Sequence, residues 1–145
     1  MLPWDTKSSK IKRISIDKER PKAILNSVLL REKFLKDKNE KEFTSIFIET
    51  DYEIIKELIT ALTYLNGYKT LSHEYLISFL NKFYKDFSEY EINLIDNLRV
   101  TRNKIAYEGF LVESEYYLNK KQDIKKVIDK LKETINNELK KERLK

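Results

Sequence analysis

One stretch, Asp96-Asn97-Leu98-Arg99-Val100-Thr101-Arg102-Asn103-Lys104-Ile105-Ala106-Tyr107, gathers the side chains best suited to chemistry. On a helix turning about 100° per residue, with Arg102 set at zero, Ile95, Leu98, Ile105, Ala106 and Gly109 fall within about 60° of it. A guanidinium in the middle of an apolar stripe is costly unless it is paired or hydrogen-bonded. Beside the stripe runs a polar strip, with Arg99 at about 60°, Asn103 at about 100°, Asp96 at about 120° and Tyr107 at about 140°. This spacing suits the edge of a packed interface, where one or two guanidiniums, an amide and a phenol point into one cleft. The same periodicity admits a plainer arrangement. Arg102 then pairs with a buried carboxylate, and Tyr107 is a core aromatic with its hydroxyl at the surface.

The elements that must hold this strip read as helices throughout. Residues 1–16 are a polar arm lying against the domain, with the alternation Ile11, Ile14, Ile16, and residues 17–145 form one domain. Asp17 suits a helix N-cap with Pro21 in the first turn, where its missing N–H does no harm. Ile24, Leu25, Val28, Leu29 and Leu35 then recur at helical spacing to about Lys38. A second helix is expected from about Thr44 to Asn66, through Ile46, Phe47, Ile54, Ile55, Leu58, Ile59, Leu62 and Leu65, with Gly67 ending it in a left-handed cap. Ser72 caps a third helix, His73 to about Phe87. Ser88 with Glu91 makes a capping box for the fourth, which ends at Gly109, and a fifth runs from Val112. Short loops make neighbouring helices antiparallel, so the expected fold is an all-α bundle of four to five helices.

Composition closes off other chemistries. With 145 residues the chain forms one domain with a sizeable core. Two glycines cannot write a glycine-rich phosphate loop. No cysteine and one histidine exclude disulfides, thiol nucleophiles and His- or Cys-rich metal sites, so neither metal nor cofactor is expected. No run of about 18 apolar residues spans a membrane and the N-terminus lacks a signal-type apolar core, so a cytoplasmic location is expected. The net charge is +5, and the excess lies from Asn119 to Lys145. A basic helix attracts polyanions by counterion release, and ordinary solvated lysines give the same pattern. The nine Tyr and seven Phe fall mostly on apolar stripes and read as core.

Arg102-Asn103-Lys104-Ile105-Ala106-Tyr107 resembles the Arg-Asn-x-x-x-His signature of HEPN domains, all-helical modules that carry it near the C-terminal end of the fourth helix. The surroundings are similar too, in Leu94-Ile95-Asp96-Asn97-Leu98-Arg99, in Glu108-Gly109 and in Gly67-Tyr68-Lys69-Thr70-Leu71-Ser72-His73. The resemblance covers about residues 20 to 140. It implies a homodimer whose fourth helices face each other, acting as a metal-independent endoribonuclease of a toxin–antitoxin or defence system. On that pattern Arg102 binds the scissile phosphate and Asn103 orients the reacting groups. Residue 107 handles the proton when a ribose 2′-OH attacks, and Arg99, Lys104 and His73 add to substrate binding.

Position 107 holds Tyr where the pattern has His. Imidazole titrates near neutrality, whereas a free phenol, with a pKa of about 10, is only about one-thousandth ionised at pH 7. A second expectation follows, of a catalytically degenerate HEPN module that binds RNA, a nucleotide or a nucleotidyltransferase partner. His73 supplies the missing imidazole if the start of the third helix reaches the fourth-helix cleft. Its plain role is capping, or packing against the Gly67 turn. A third expectation is a helical scaffold that binds through its basic last helix, with salt-dependent affinity insensitive to Arg102.

Overall fold

A computed structural model of the chain describes residues 2–141. It is a mostly helical bundle in the order β1 (Ile11–Arg13), α1 (Glu19–Leu35), α2 (Thr44–Leu65), β2 (Tyr68–Thr70), α3 (His73–Phe83), α4 (Glu89–Glu108) and α5 (Ser114–Lys140). The second helix is buried round most of its circumference, from Phe47 through Ile55 and Leu58 to Leu65, so it forms the central rod. The other four helices and β2 all pack on it.

At α1, Asp17 caps as its residue type predicts: its Oδ1 accepts from the N–H groups of Glu19 at 2.9 Å and Arg20 at 3.1 Å. The helix buries Pro21, Ile24, Val28 and Leu35. Leu29, expected on that stripe, is exposed, because it lies about 100° round from Val28. Ile46 of α2 is likewise exposed.

Gly67 ends α2 at φ +79°, in the left-handed region expected of it. A Cβ there would meet the Ile14 carbonyl oxygen at 3.0 Å, and the Ile14 N–H donates to the Gly67 carbonyl at 2.9 Å. The glycine thus lets the N-terminal arm lie directly on the end of α2. The arm is more than an irregular segment. It forms an antiparallel ribbon with β2, pairing Ile11 with Thr70, Lys12 with Lys69 and Arg13 with Tyr68. Trp4, 8% exposed, pins it by edge-on contacts with Tyr68 and Phe79, each at 5.3 Å between ring centroids.

Ser72 caps α3, its Oγ accepting from the Tyr75 N–H at 3.3 Å. The helix ends at Phe83 rather than near Phe87. Tyr84 leaves helical geometry, and its hydroxyl accepts from Asn66 Nδ2 and donates to Glu138 Oε1, each at 2.8 Å. Phe87 remains buried in the turn, which is why apolar spacing continues past the true end. The capping box of α4 is present in full, Glu91 N–H to Ser88 Oγ at 3.1 Å and Ser88 N–H to Glu91 Oε1 at 2.9 Å. Gly109 closes that helix at φ +65°. Among the described residues no helix is long and apolar enough to cross a membrane.

Candidate functional site

The buried stripe of α4 consists of Ile92, Leu94, Ile95 and Leu98. Arg102 is the next position along it, one turn past the last buried residue, so its guanidinium emerges at the rim of the core and is half-buried. Ile105 is half-buried and Ala106 exposed, so the predicted stripe is covered only in its first half. Arg102 Nη1 donates to Asn103 Oδ1 at 3.2 Å, and its Cζ lies 5.9 Å from the Tyr107 ring centroid. Among the described residues it has no salt bridge to a carboxylate. The paired-guanidinium arrangement belongs instead to Arg99, whose Nε donates to Asp96 Oδ1 at 2.9 Å.

His73 does reach this neighbourhood. It opens α3, and burial foremost, then the positive charges of Lys56 and Arg102, with a smaller contribution from Arg99, hold its pKa below the usual imidazole value. The imidazole is therefore mostly neutral at pH 7. Its Nδ1 lies 3.1 Å from the hydroxyl of Tyr52, a residue of α2 that is 1% exposed. Burial pushes the Tyr52 phenol above its ordinary range, so it keeps its proton. Two tautomers suit this pair. Tyr52 can donate to Nδ1, leaving Nε2–H as a donor, or Nδ1–H can donate to the phenol oxygen, leaving Nε2 free to accept a proton.

The backbone around His73 is tied to the ribbon. Thr70 Oγ1 donates to the Lys10 carbonyl at 2.7 Å and accepts from the Ser72 N–H at 3.1 Å. Lys56, also facing His73 electrostatically, is held by Glu53 at 2.8 Å and Glu57 at 3.6 Å. The structure thus brings His73 against Tyr52 and sets the charges of Arg99 and Arg102 near both, with Asn103 joined to the group through Arg102. No family model, no curated protein and no solved structure matches this chain.

Two of the expected residues stand apart. Lys104 is exposed about 200° round from Arg102, its ammonium 5.8 Å from the Phe110 ring. Tyr107 is 78% exposed, so the core-aromatic reading fails for it, and among the described residues its ring meets the cluster only at the Arg102 guanidinium. Among the described residues no group of three or more His, Cys, Asp or Glu is placed to hold a metal ion.

Sequence reasoning passed over Tyr52 and its neighbour Asp51. Asp51 lines a separate cleft of about 330 Å³ between α1, α2 and α5, and accepts from the Tyr117 hydroxyl at 2.7 Å. Burial raises its pKa to about 6 against the opposing Tyr117 hydrogen bond, with Glu32 and Glu40 adding to the rise. Burial and the Asp51 charge push the Tyr117 phenol up in turn. The signal for both residues was an acid and a phenol in the gap between Phe47 and Ile54, on a helix apolar on either side.

Proposed function

We propose that this chain is a HEPN-like, homodimeric endoribonuclease that needs no metal ion and serves a toxin–antitoxin or defence system. The observation that carries the reading is Arg102, a half-buried guanidinium with no carboxylate partner among the described residues. Such a group is ready to take a phosphate in a bidentate contact and to stabilise the charge that develops during transfer. Asn103, hydrogen-bonded to it, fixes the orientation of the fork. His73, largely neutral and near Arg102, is the acceptor for the ribose 2′-OH proton in the tautomer that leaves Nε2 free. The uncovered face of α4 supports the dimer. Val100 and Tyr107 project there within about 20° of each other, both exposed, with the exposed Phe110 and Leu111 just beyond.

Incubation of the purified protein with mixed RNAs in EDTA tests this reading. Cleavage is expected, with loss of two or more orders of magnitude in Arg102→Ala and in His73→Ala. Cleavage that survives Arg102→Ala sinks the catalytic version.

The exposure of Tyr107 favours a second reading, a dimer that binds RNA, a nucleotide or a nucleotidyltransferase partner without hydrolysis. There Tyr107→His should create cleavage at unchanged RNA affinity. If neither RNA, nucleotide nor such a partner binds, this reading goes too.

A further inference from the structure

The β-ribbon holds a charge arrangement that works against the fold. Lys12 and Lys69 are direct cross-strand partners, and like charges placed opposite one another destabilise an antiparallel pair. Both are exposed, and Lys10 borders the same cleft. Among the described residues none of the three has a salt bridge to a carboxylate. Residues 2–16 carry Lys7, Lys10, Lys12 and Arg13 against Asp5 alone.

Two clefts lead from these lysines as far as His73, at the head of α3. One, of about 230 Å³, is bordered by Ser9, Lys10, Lys12 and Lys69. The other, of about 250 Å³, shares Lys69 with it and continues past Arg20 and Lys56 to His73. The acid lining this second cleft, Glu57, lies 3.6 Å from Lys56, which also holds Glu53 at 2.8 Å. Arg20 lies 5.2 Å from the Tyr64 ring centroid, and Leu71, at the junction of the clefts, is 86% exposed. Lys10, Lys12, Lys69 and Arg20, none with a carboxylate partner among the described residues, together with an exposed apolar side chain suit a flexible polyanion whose bases and phosphates are both reachable.

We infer that the ribbon and its two clefts bind the backbone of single-stranded RNA flanking the position held at Arg102. This rests on the RNA reading of the α4 site and extends the bound strand well beyond it. Phosphate contacts position a strand without reading its sequence, so the ribbon sets register and affinity. Bound phosphates also relieve the Lys12–Lys69 repulsion.

The test is fluorescence-anisotropy titration of a labelled single-stranded RNA of mixed sequence over a range of salt, with the full chain and its Lys12→Gln/Lys69→Gln variant. Losing two phosphate contacts should lower the slope of log affinity against log salt by about 1.4, at about 0.7 per contact on single strands. Binding at low salt should weaken at least several-fold. The melting temperature of the variant should not fall, because the substitution removes a repulsion; that separates lost contacts from lost folding. Unchanged affinity and slope would overturn the ribbon, and a duplex of the same sequence competing equally well would overturn the single-strand assignment. Arg102→Ala tests the α4 site by itself. If it changes neither binding nor cleavage while the ribbon variant weakens binding, the ribbon stands and the α4 reading falls. If the unaltered protein binds no RNA, both fall.

Discussion

The lysines of α5 and those of the β-ribbon are chemically alike, but their surroundings are not. On α5, Lys121, Lys130 and Lys132 reach Glu40, Glu91 and Glu32 at 2.7, 2.9 and 2.6 Å, and so tie the last helix to three other parts of the bundle. Lys141 meets Glu138 and Lys125 meets Asp129. On the ribbon, Lys10, Lys12 and Lys69 have no such partners among the described residues, and two of them face each other. The positive excess counted along the sequence lies in the last helix and tail, of which Arg143 and Lys145 fall outside the described residues. Much of the described part is spent on internal ties. Lys120, Lys126 and Lys140 of that helix also lack a carboxylate partner among the described residues, but only on the ribbon are two such lysines set directly opposite each other, Lys12 against Lys69. Net charge by segment says where cations are. Only the fold says which of them already have anions.

The ribbon's charge depends on how the ribbon is anchored, and the largest expected effect is there. Trp4→Ala removes the ring that contacts Tyr68, Tyr75, Phe79 and Phe83, and should cost about 3–5 kcal/mol by urea unfolding. RNA affinity should fall with it even though no cation is touched. A cost below about 1 kcal/mol would mean the arm is not docked as described.

Next in size is Asp51, under α5. Its folded pKa of about 6 lies above the ordinary 3.8, so the unfolded chain gives up that proton first. Its contribution is neutral below about pH 4, turns increasingly unfavourable as pH rises towards 6, and stays so above. Asp51→Asn can still accept from Tyr117 and should stabilise the protein above pH 6 by up to about 3 kcal/mol, with no gain at pH 3.5. A gain of equal size at both pH values would assign the effect to packing instead of charge.

Gly67→Ala forces a side chain into left-handed geometry against the Ile14 carbonyl, and should cost about 1–2 kcal/mol or more. Lys132→Gln and Lys12→Gln contrast the two basic regions most directly. Loss of the Glu32 tie should destabilise by about 0.5–1 kcal/mol. Relief of the Lys12–Lys69 pair should stabilise by a few tenths of a kcal/mol. Equal signs for the two, measured by thermal unfolding at low salt, would dissolve the contrast.

The sequence was most legible where a local rule applies. Ser88 and Glu91, Ser72, Asp17, Gly67 and Gly109 act within a few residues of themselves, and each stands in the role its type predicts. Reading failed where a distant partner decides. Tyr84 ends α3 while engaged with Asn66 and Glu138, and apolar spacing could not reveal that. The alternation Ile11, Ile14, Ile16 was visible, but its partner strand is three residues long and followed no pattern of its own. At the site, Arg102 and Asn103 could be placed side by side by helix geometry. The Tyr52–His73 contact joins α2 to α3 across a turn and a strand, and no periodicity encodes it.

The hydrogen bond from Thr70 to the Lys10 carbonyl spans 60 residues. In a chain made from its N-terminus, Trp4 and Lys10 emerge well before the strand and helix they will dock against. Closing so long a loop costs entropy that only the finished contact repays, so the ribbon is expected among the late steps of folding. The segment synthesised early thus completes the cleft late, once β2 and α3 have formed to receive it.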